Sequence, residues 1–426
     1  MAKPGGSSIQ VPILEPEDSQ IDRSLRRLER FLGLFGFCQT SIPSAIISWL
    51  VFASIGVVLP VILIVYSYCS DCEKYQIRVF ELEILVSQAI VGAISLLCIS
   101  HNIRKYGLRK LLFVDQCHGH MVQFRGQYIE KIHVFYRTLV TWVIFCFLLK
   151  ASREVTRAVY LHHDLWWLSI ATTLASLVCW TYSTIVFLSG TALFNLVGNL
   201  LVIHFENYGK FLEKDLDVSI YIEEHMRLTY YLSKVSHRFR VFALLEFLVI
   251  SASQFAALLQ TTGNKGIINF INAGDFAVLS IVQLVGLVLC LIAAAKISHR
   301  AQSLGAIASR WHAFATCNSS DASQSGVSNN GGNLEAGNPV GSIPLSYSES
   351  DLESTDYFPL STNMQVTSYT TSYNKRQAFV TYVQSNTGGF TIFGWMVDRH
   401  LINTIFFIEL SLVFFVLGKT ITITTR

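Results

Sequence analysis

The stretch from Trp166 to His204, WWLSIATTLASLVCWTYSTIVFLSGTALFNLVGNLLVIH, contains no Asp, Glu, Lys or Arg. Coiled as a single α-helix it would extend to about 58 Å, nearly twice the ~30 Å hydrocarbon layer of a bilayer. It is either two spans joined by a turn, or one span that continues into water or protein. The choice sets the number of crossings and the side on which every later loop lies.

Other apolar stretches long enough to cross are Ala45–Tyr66, Leu82–Cys98, Val134–Leu149, Phe242–Leu259, Phe276–Ala295 and Leu401–Gly418. The loops between them decide the question. Lys and Arg in short loops gather on the cytoplasmic side of a membrane protein. With one span in 166–204 the chain has seven, and the basic residues alternate. One side holds the Arg23–Arg30 cluster, Arg104–Lys131, Lys210–Arg240 and Lys296–Arg399. The other holds only Lys74, Arg78, Lys150, Arg153, Arg157, Lys265, Lys419 and Arg426. Two spans there would carry the later basic clusters to the wrong side. The sequence therefore predicts an all-α, seven-transmembrane helix bundle with a cytoplasmic N-terminus and an extracytoplasmic C-terminus. G-protein-coupled receptors have the opposite orientation and are excluded. Met1–Asp22 is polar and carries no signal-peptide pattern.

Composition agrees. Of the 426 residues, 51% are hydrophobic and only 14% charged, with mean hydropathy +0.44 and net charge +3. A soluble domain carries about 25% charged residues. This balance excludes a cytosolic enzyme and a nucleic-acid binder, and the bilayer is the first partner implied.

The chain divides into a cytoplasmic N-terminal segment (1–40), six spans with cytoplasmic helical extensions (41–300), a Ser/Asn/Gly-rich insert (301–375) and a split final helix (376–426). Tyr106–His133 reads as an amphipathic helix, basic on one face. Ile222, Met226, Thr229, Leu232 and Val235 lie at roughly the spacing of one helical face, so helices four and five project past the membrane together. Cys317–Lys375 has the composition of a disordered cytoplasmic insert. Within it, Ser348 and Ser350 sit among acids that suit an acid-directed kinase. Gly388-Gly389 is the expected break between the two pieces of the final helix.

Few constellations suggest chemistry. Cys98, Cys146, Cys179 and Cys290 fall in spans as small apolar residues, and Cys69 with Cys72 allows at most a local external disulfide. Cys117, His118 and His120 lack the second ligand pair of a zinc site. No nucleotide-binding glycine loop, nucleophile elbow or paired-acid signature appears, so neither an enzyme nor a cofactor is expected. Ionisable residues inside a membrane are costly and mark function by default. Glu409 lies mid-way along the last span and Glu246 near the inner end of the fifth. Glu81, Glu83 and Lys419 lie near span ends, where they can snorkel. Asn403, Thr404 and Ser411 share the last span with Phe406, Phe407, Phe414 and Phe415. That mixture fits a closed hydrophobic gate or a lipid-facing helix. Phe80, Glu83, Phe147, Trp166 and Trp167 cluster at the outer ends of spans two to four, as a ligand pocket or as the ordinary aromatic belt.

Phe393-Gly394-Trp395-Met396-Val397-Asp398-Arg399 followed by Leu401–Phe406, with the inverted seven spans and split last helix, resembles insect odorant and gustatory receptors. Leu25–Phe35, Tyr128–Ile132 and Glu409-Leu410-Ser411-Leu412-Val413 look like the plant gustatory-receptor-like proteins of that superfamily. The resemblance covers nearly the whole chain except Cys317–Lys375. It implies a homotetrameric ligand-gated cation channel at the plasma membrane. The last helix would line the pore, the cytoplasmic bundle would hold the subunits together, and a small-molecule ligand would sit among spans two to six. Glu409, Ser411, Phe415, Gly418 and Lys419 then become the pore and gate residues. One departure matters: Gly418 stands where insect gustatory receptors carry a pore-facing amide. Lys419 would place four positive charges at the outer mouth of a tetramer, which opposes cation passage. The competing expectation is a non-conducting seven-span receptor or scaffold that acts through its insert.

Overall fold

The computed structural model describes residues 18–66, 78–113, 121–160, 166–212, 217–263, 270–323, 353 and 372–421. They are almost entirely helical, and seven helices are long and apolar enough to cross a membrane. After α1 (Asp18–Leu34), the first span is built from α2 (Ile42–Ala53), a π-turn (Ser54–Val58) and α3 (Leu59–Tyr66). The second is α4 (Arg78–Tyr106); a short α5 (Leu108–Leu111) follows. The third to sixth are α6 (Met121–Tyr160), α7 (Trp166–Phe211), α8 (Val218–Gly263) and α9 (Phe270–Ser323). The last part comprises α10 (Ser372–Ser385), a hairpin of β1 (Thr391–Ile392) and β2 (Trp395–Met396), and α11 (Arg399–Ile421). The Lys- and Arg-rich connections gather at one end of the bundle, called the basic end below.

The uncharged block forms one helix, so the chain has seven spans. At 46 residues α7 is about 69 Å long. It needs no charge because protein surrounds it: Val186, Phe187, Leu188, Leu193, Phe194, Val197, Leu200 and Leu201 are all buried, on every side of the helix. Its main partner is α9, and 78% of the apolar window of each is buried, against 11% for the first span and 17% for the seventh. The outer spans therefore present apolar faces away from the protomer, whereas α7 and α9 form its axis.

Local chemistry shapes the other elements. Ser41 caps α2, its hydroxyl accepting the Ser44 N–H at 3.4 Å, with a proline in the first turn. The π-turn ends two residues before Pro60, whose ring cannot coexist with an ordinary helical bond to the Gly56 carbonyl. On α1, Ile21, Leu25, Leu28 and Leu32 form a buried stripe, and Phe31 meets Phe135 and Tyr136 of α6 edge-on.

The expected helix from Tyr106 to His133 is interrupted. The chain breaks at Gly107 (φ +77°) and again after α5, where Phe113 has φ +58°. The region from 301 assigned to the insert also differs, because α9 continues to Ser323. Ala301, Leu304 and Ala308 form a buried stripe on it, and Trp311 packs against Tyr221 and Phe379. The extensions of α7, α8 and α9 thus form a second packed layer with α10 at the basic end. Burial there pushes the Tyr382 phenol up to about 12.

The final helix is split as expected, by a hairpin that carries the turn. Phe393 and Gly394, both at positive φ (49° and 86°), form the two-residue turn that matches strand twist. Ser298 of α9 pins both ends: its hydroxyl accepts the Phe390 N–H at 3.1 Å and donates to the Val397 carbonyl at 2.9 Å.

Gly286 of α9 faces the Phe187 ring of α7 at less than the distance any side chain needs. Phe187 is only 1% exposed and has nowhere to move. Gly286→Ala should therefore destabilise the protein by about 1–3 kcal/mol, and adding Phe187→Leu should restore part of that loss. Thermal unfolding of detergent-extracted protein measures both; an unchanged midpoint for Gly286→Ala would contradict the close pairing of α7 and α9.

Candidate functional site

At the end of the bundle opposite the basic one, α6 places Lys150, Arg153, Glu154 and Arg157 on one face, spaced three and four residues apart. Two other spans face them with acids near their ends, Glu81 in the first turn of α4 and Asp275 in the second turn of α9. Lys150 Nζ lies 2.6 Å from Asp275 Oδ1 and 2.8 Å from Glu154 Oε1. Arg153 reaches Asp275 Oδ2 at 2.9 Å and Glu154 Oε1 at 3.2 Å. Arg157 pairs with Glu81 at 2.9 Å. The Lys150, Arg153, Glu154 and Asp275 side chains are all at most 7% exposed. Three cations and three anions thus neutralise one another inside the protein.

This network forms one wall of a cavity of about 120 Å³. The opposite wall is α7, with the hydroxyls of Thr172, Thr173, Ser176 and Ser183, while Leu63, Ile64, Ile84 and Leu85 supply apolar surface. Gln88 reaches from the cavity into the core, donating to the Trp180 carbonyl at 3.2 Å and to Thr184 Oγ1 at 3.0 Å. Such a cavity suits a small molecule that carries polar or opposite charges at one end.

From Gln88 a part-buried series of polar side chains, linked at Ser87 and at Ser251 only through the helix backbone, leads across the bundle to the last span. Ser87, the residue before Gln88, bonds to Ser253 of α8 and accepts from Gln283 Nε2 of α9 at 2.8 Å. Gln254 donates to Gln283 Oε1 at 2.9 Å. One turn before Gln254, Ser251 donates to Glu409 of α11. Apolar contact runs in parallel, since cavity-lining Ile84 belongs to the same buried cluster as Phe80, Phe276 and Val416 of the last span. Glu246 is buried separately, accepting from Ser95 at 3.0 Å.

The residues named from sequence occupy several places. Phe80 meets Phe276 edge-on, with centroids 5.1 Å apart, beside the cavity rather than in it. Glu83 accepts from Gln260. Phe147 is partly exposed and Trp167 is 68% exposed, both away from the cavity. The Trp166 and Lys419 side chains, Cys69, Cys72, Ser348, Ser350 and the Cys117–His120 stretch lie outside the described residues. Glu409 and Ser411 are separated by the span itself. Glu409 is 2% exposed and faces Ser251, whereas Ser411 lies on the outer face and donates to its own Phe407 carbonyl at 2.7 Å. Phe415 and Gly418 share that outer face with Ser411, as do Asn403, Phe407 and Phe414. The sequence reading treated Lys150, Arg153 and Arg157 as loop charges and passed over Gln88, Gln254 and Gln283. Isolated glutamines inside apolar blocks were the available signal.

Comparison with protein families matches residues 23–408 to DUF3537, described as a protein of unknown function, so the chain belongs to that family. No curated protein and no solved structure matches the chain.

Asp275 holds both Lys150 and Arg153. Asp275→Asn leaves two buried cations short of a partner and should cost roughly 3–5 kcal/mol. The fall should appear in the thermal midpoint of purified full-length protein; a midpoint equal to wild type would mean that the network contributes nothing to the fold.

Proposed function

We propose that this member of the DUF3537 family is a chemoreceptor-like membrane protein of the plasma membrane, a homotetrameric ligand-gated ion channel. A small ligand binds in the charged cavity, and the outer face of α11 lines an axial path between subunits. The polar chain from Gln88 to Glu409 couples the two. The observation that carries this reading is the two-sided character of α11. Its inner face is tied through Glu409 to the chain that begins at the cavity. Its outer face, a stripe of Asn403, Phe407, Ser411, Phe414 and Gly418, is exposed on the surface of the bundle and mixes an amide, a hydroxyl and a glycine with phenylalanines. The phenylalanines between these small polar positions give the constriction of a hydrophobic gate.

A ligand for the cavity meets Lys150, Arg157, Glu81, Glu154 and Asp275 on its lining, while Arg153 pairs with two of those acids from behind. A zwitterion, or a neutral molecule with several hydrogen-bonding groups, exchanges partners with the network without leaving an unpaired charge. A single net charge would leave one. The resemblance to insect odorant and gustatory receptors supports the same assignment of roles and supports an N-terminus in the cytoplasm, where the basic end belongs. Lys419 argues for a conductance that is not the cation current of the insect relatives.

The competing reading is a non-conducting scaffold that acts through residues 317–375. It is favoured by the ion pair of Glu353, from that segment, with Lys105 at the end of α4 (3.0 Å).

Whole-cell recording from cells that display the tetramer at their surface separates the two. Gly418→Trp should reduce the conductance to background. Ser251→Ala, which cuts the tie to Glu409 but leaves the outer face intact, should shift its ligand or voltage dependence. Deletion of residues 324–371 should leave the current in place. Surface-displayed wild-type tetramer with no current above untransfected cells would contradict the channel.

A further inference from the structure

At the basic end, α4, α8 and the entry to α2 enclose a second cavity of about 520 Å³, large enough for a sugar-phosphate group. Its polar wall carries Arg104 and Lys105 at the end of α4 and Arg238 and Arg240 on α8, with His101 and His237 between them. Among the described residues, Glu353 is the sole acid that lines it. Arg238 is preorganised: its guanidinium stacks on the Tyr106 ring at 3.9 Å. The Asn102 side chain fixes its backbone by donating to the Arg238 carbonyl at 2.9 Å. Arg238 is 7% exposed and its Nε is buried without a hydrogen-bond partner. A buried arginine held in this way is a donor awaiting an anion.

The other wall is apolar. Trp49, Leu97 and Val241 line it, and Leu97 and Val241 are 53% and 45% exposed on the surface of the bundle. Ile46 and Leu50 continue this surface along the first span, at 55% and 60% exposed. The pocket therefore joins a cationic chamber to a face that meets hydrocarbon, at the level where the apolar parts of spans one and two end. A free phosphate needs only the chamber; a phospholipid needs both parts. The anion already present is the carboxylate of Glu353, 3.0 Å from Lys105 Nζ.

We propose that this pocket binds the phosphorylated headgroup of an anionic membrane phospholipid, its acyl chains lying along Leu97 and Val241, with Glu353 as an intramolecular competitor for Lys105. Arg104, Lys105, Arg238 and Arg240 contact the phosphates, and basic pockets between spans on the cytoplasmic face suit such lipids. Arg240 also stacks over Phe393 at 4.9 Å, so the occupied pocket bears on the hairpin that leads into α11. The proposal does not depend on whether the protein conducts.

The test uses the full-length protein reconstituted in phosphatidylcholine vesicles containing phosphatidylinositol bisphosphate, with retained lipid counted by mass spectrometry after extraction. Wild type should retain the phosphoinositide in preference to phosphatidylcholine. Arg104→Gln with Lys105→Gln, both at the exposed end of α4, should weaken retention by about tenfold or more, with the thermal midpoint unchanged. Glu353→Gln should strengthen it several-fold. Equal retention by wild type and the double variant would overturn the site. Unchanged retention in Glu353→Gln would overturn the competition. Displacement of the lipid by an equal concentration of soluble inositol trisphosphate would overturn the lipid assignment in favour of a soluble phosphate.

Discussion

Hydrocarbon offers no hydrogen bonds, so every polar group between the two faces of a membrane must be satisfied by the protein itself. For the backbone this leaves helices, and the chain supplies seven. For side chains it leaves pairs, and those pairs dictate which helices touch. Asp275 neutralises two cations of α6, so the third and sixth spans cannot separate at that end. Gln254 donates to Gln283 across α8 and α9, and Glu409 of α11 accepts from Ser251 of α8. The polar interior is thus a set of cross-links between spans rather than a set of isolated costs.

The same constraint places the functional features. On the proposed reading, the cavity whose charges already pair with one another trades those pairs for a ligand's, because the exchange leaves no charge bare. The polar chain that leads away from it ends on α11, one of the spans with little burial in the bundle. At the opposite end the requirement relaxes, since headgroups and water are near. There the cations of α4 and α8 gather around an open chamber instead of pairing across the bundle. Two regions of unlike chemistry therefore bracket the membrane, both adjoining elements that lead to α11.

Much of the fold was legible because span number depends on length and charge alone. Residues 166–204 lacked charge, and the distribution of Lys and Arg admitted only one span there. Where the membrane stops was not legible. Burial against protein and contact with lipid both select apolar residues, so Val186–Leu201 reads the same in either setting. The continuation of α9 beyond residue 300 was hidden by small residues, since Ala301 and Ala308 give a packing stripe with little hydropathy. The i,i+4 pair of Lys150 and Glu154 was visible in sequence, but Asp275 and Glu81 come from other helices and no local period announces them. Spacing did place Glu409 and Ser411 about 200° apart on a helix. It could not say which of them faced the protomer.

The proposed channel requires the outer face of α11 to meet water rather than lipid in an assembled tetramer. Ser411 and Ile47 are both exposed on the protomer surface, one on the last span and one on the first. A cysteine placed at each position in the full-length protein, treated in intact membranes with a water-soluble, membrane-impermeant thiol reagent, tests the claim directly. The account predicts that Ser411→Cys is modified and that Ile47→Cys is not. A Ser411→Cys thiol as inert as that of Ile47→Cys would contradict it.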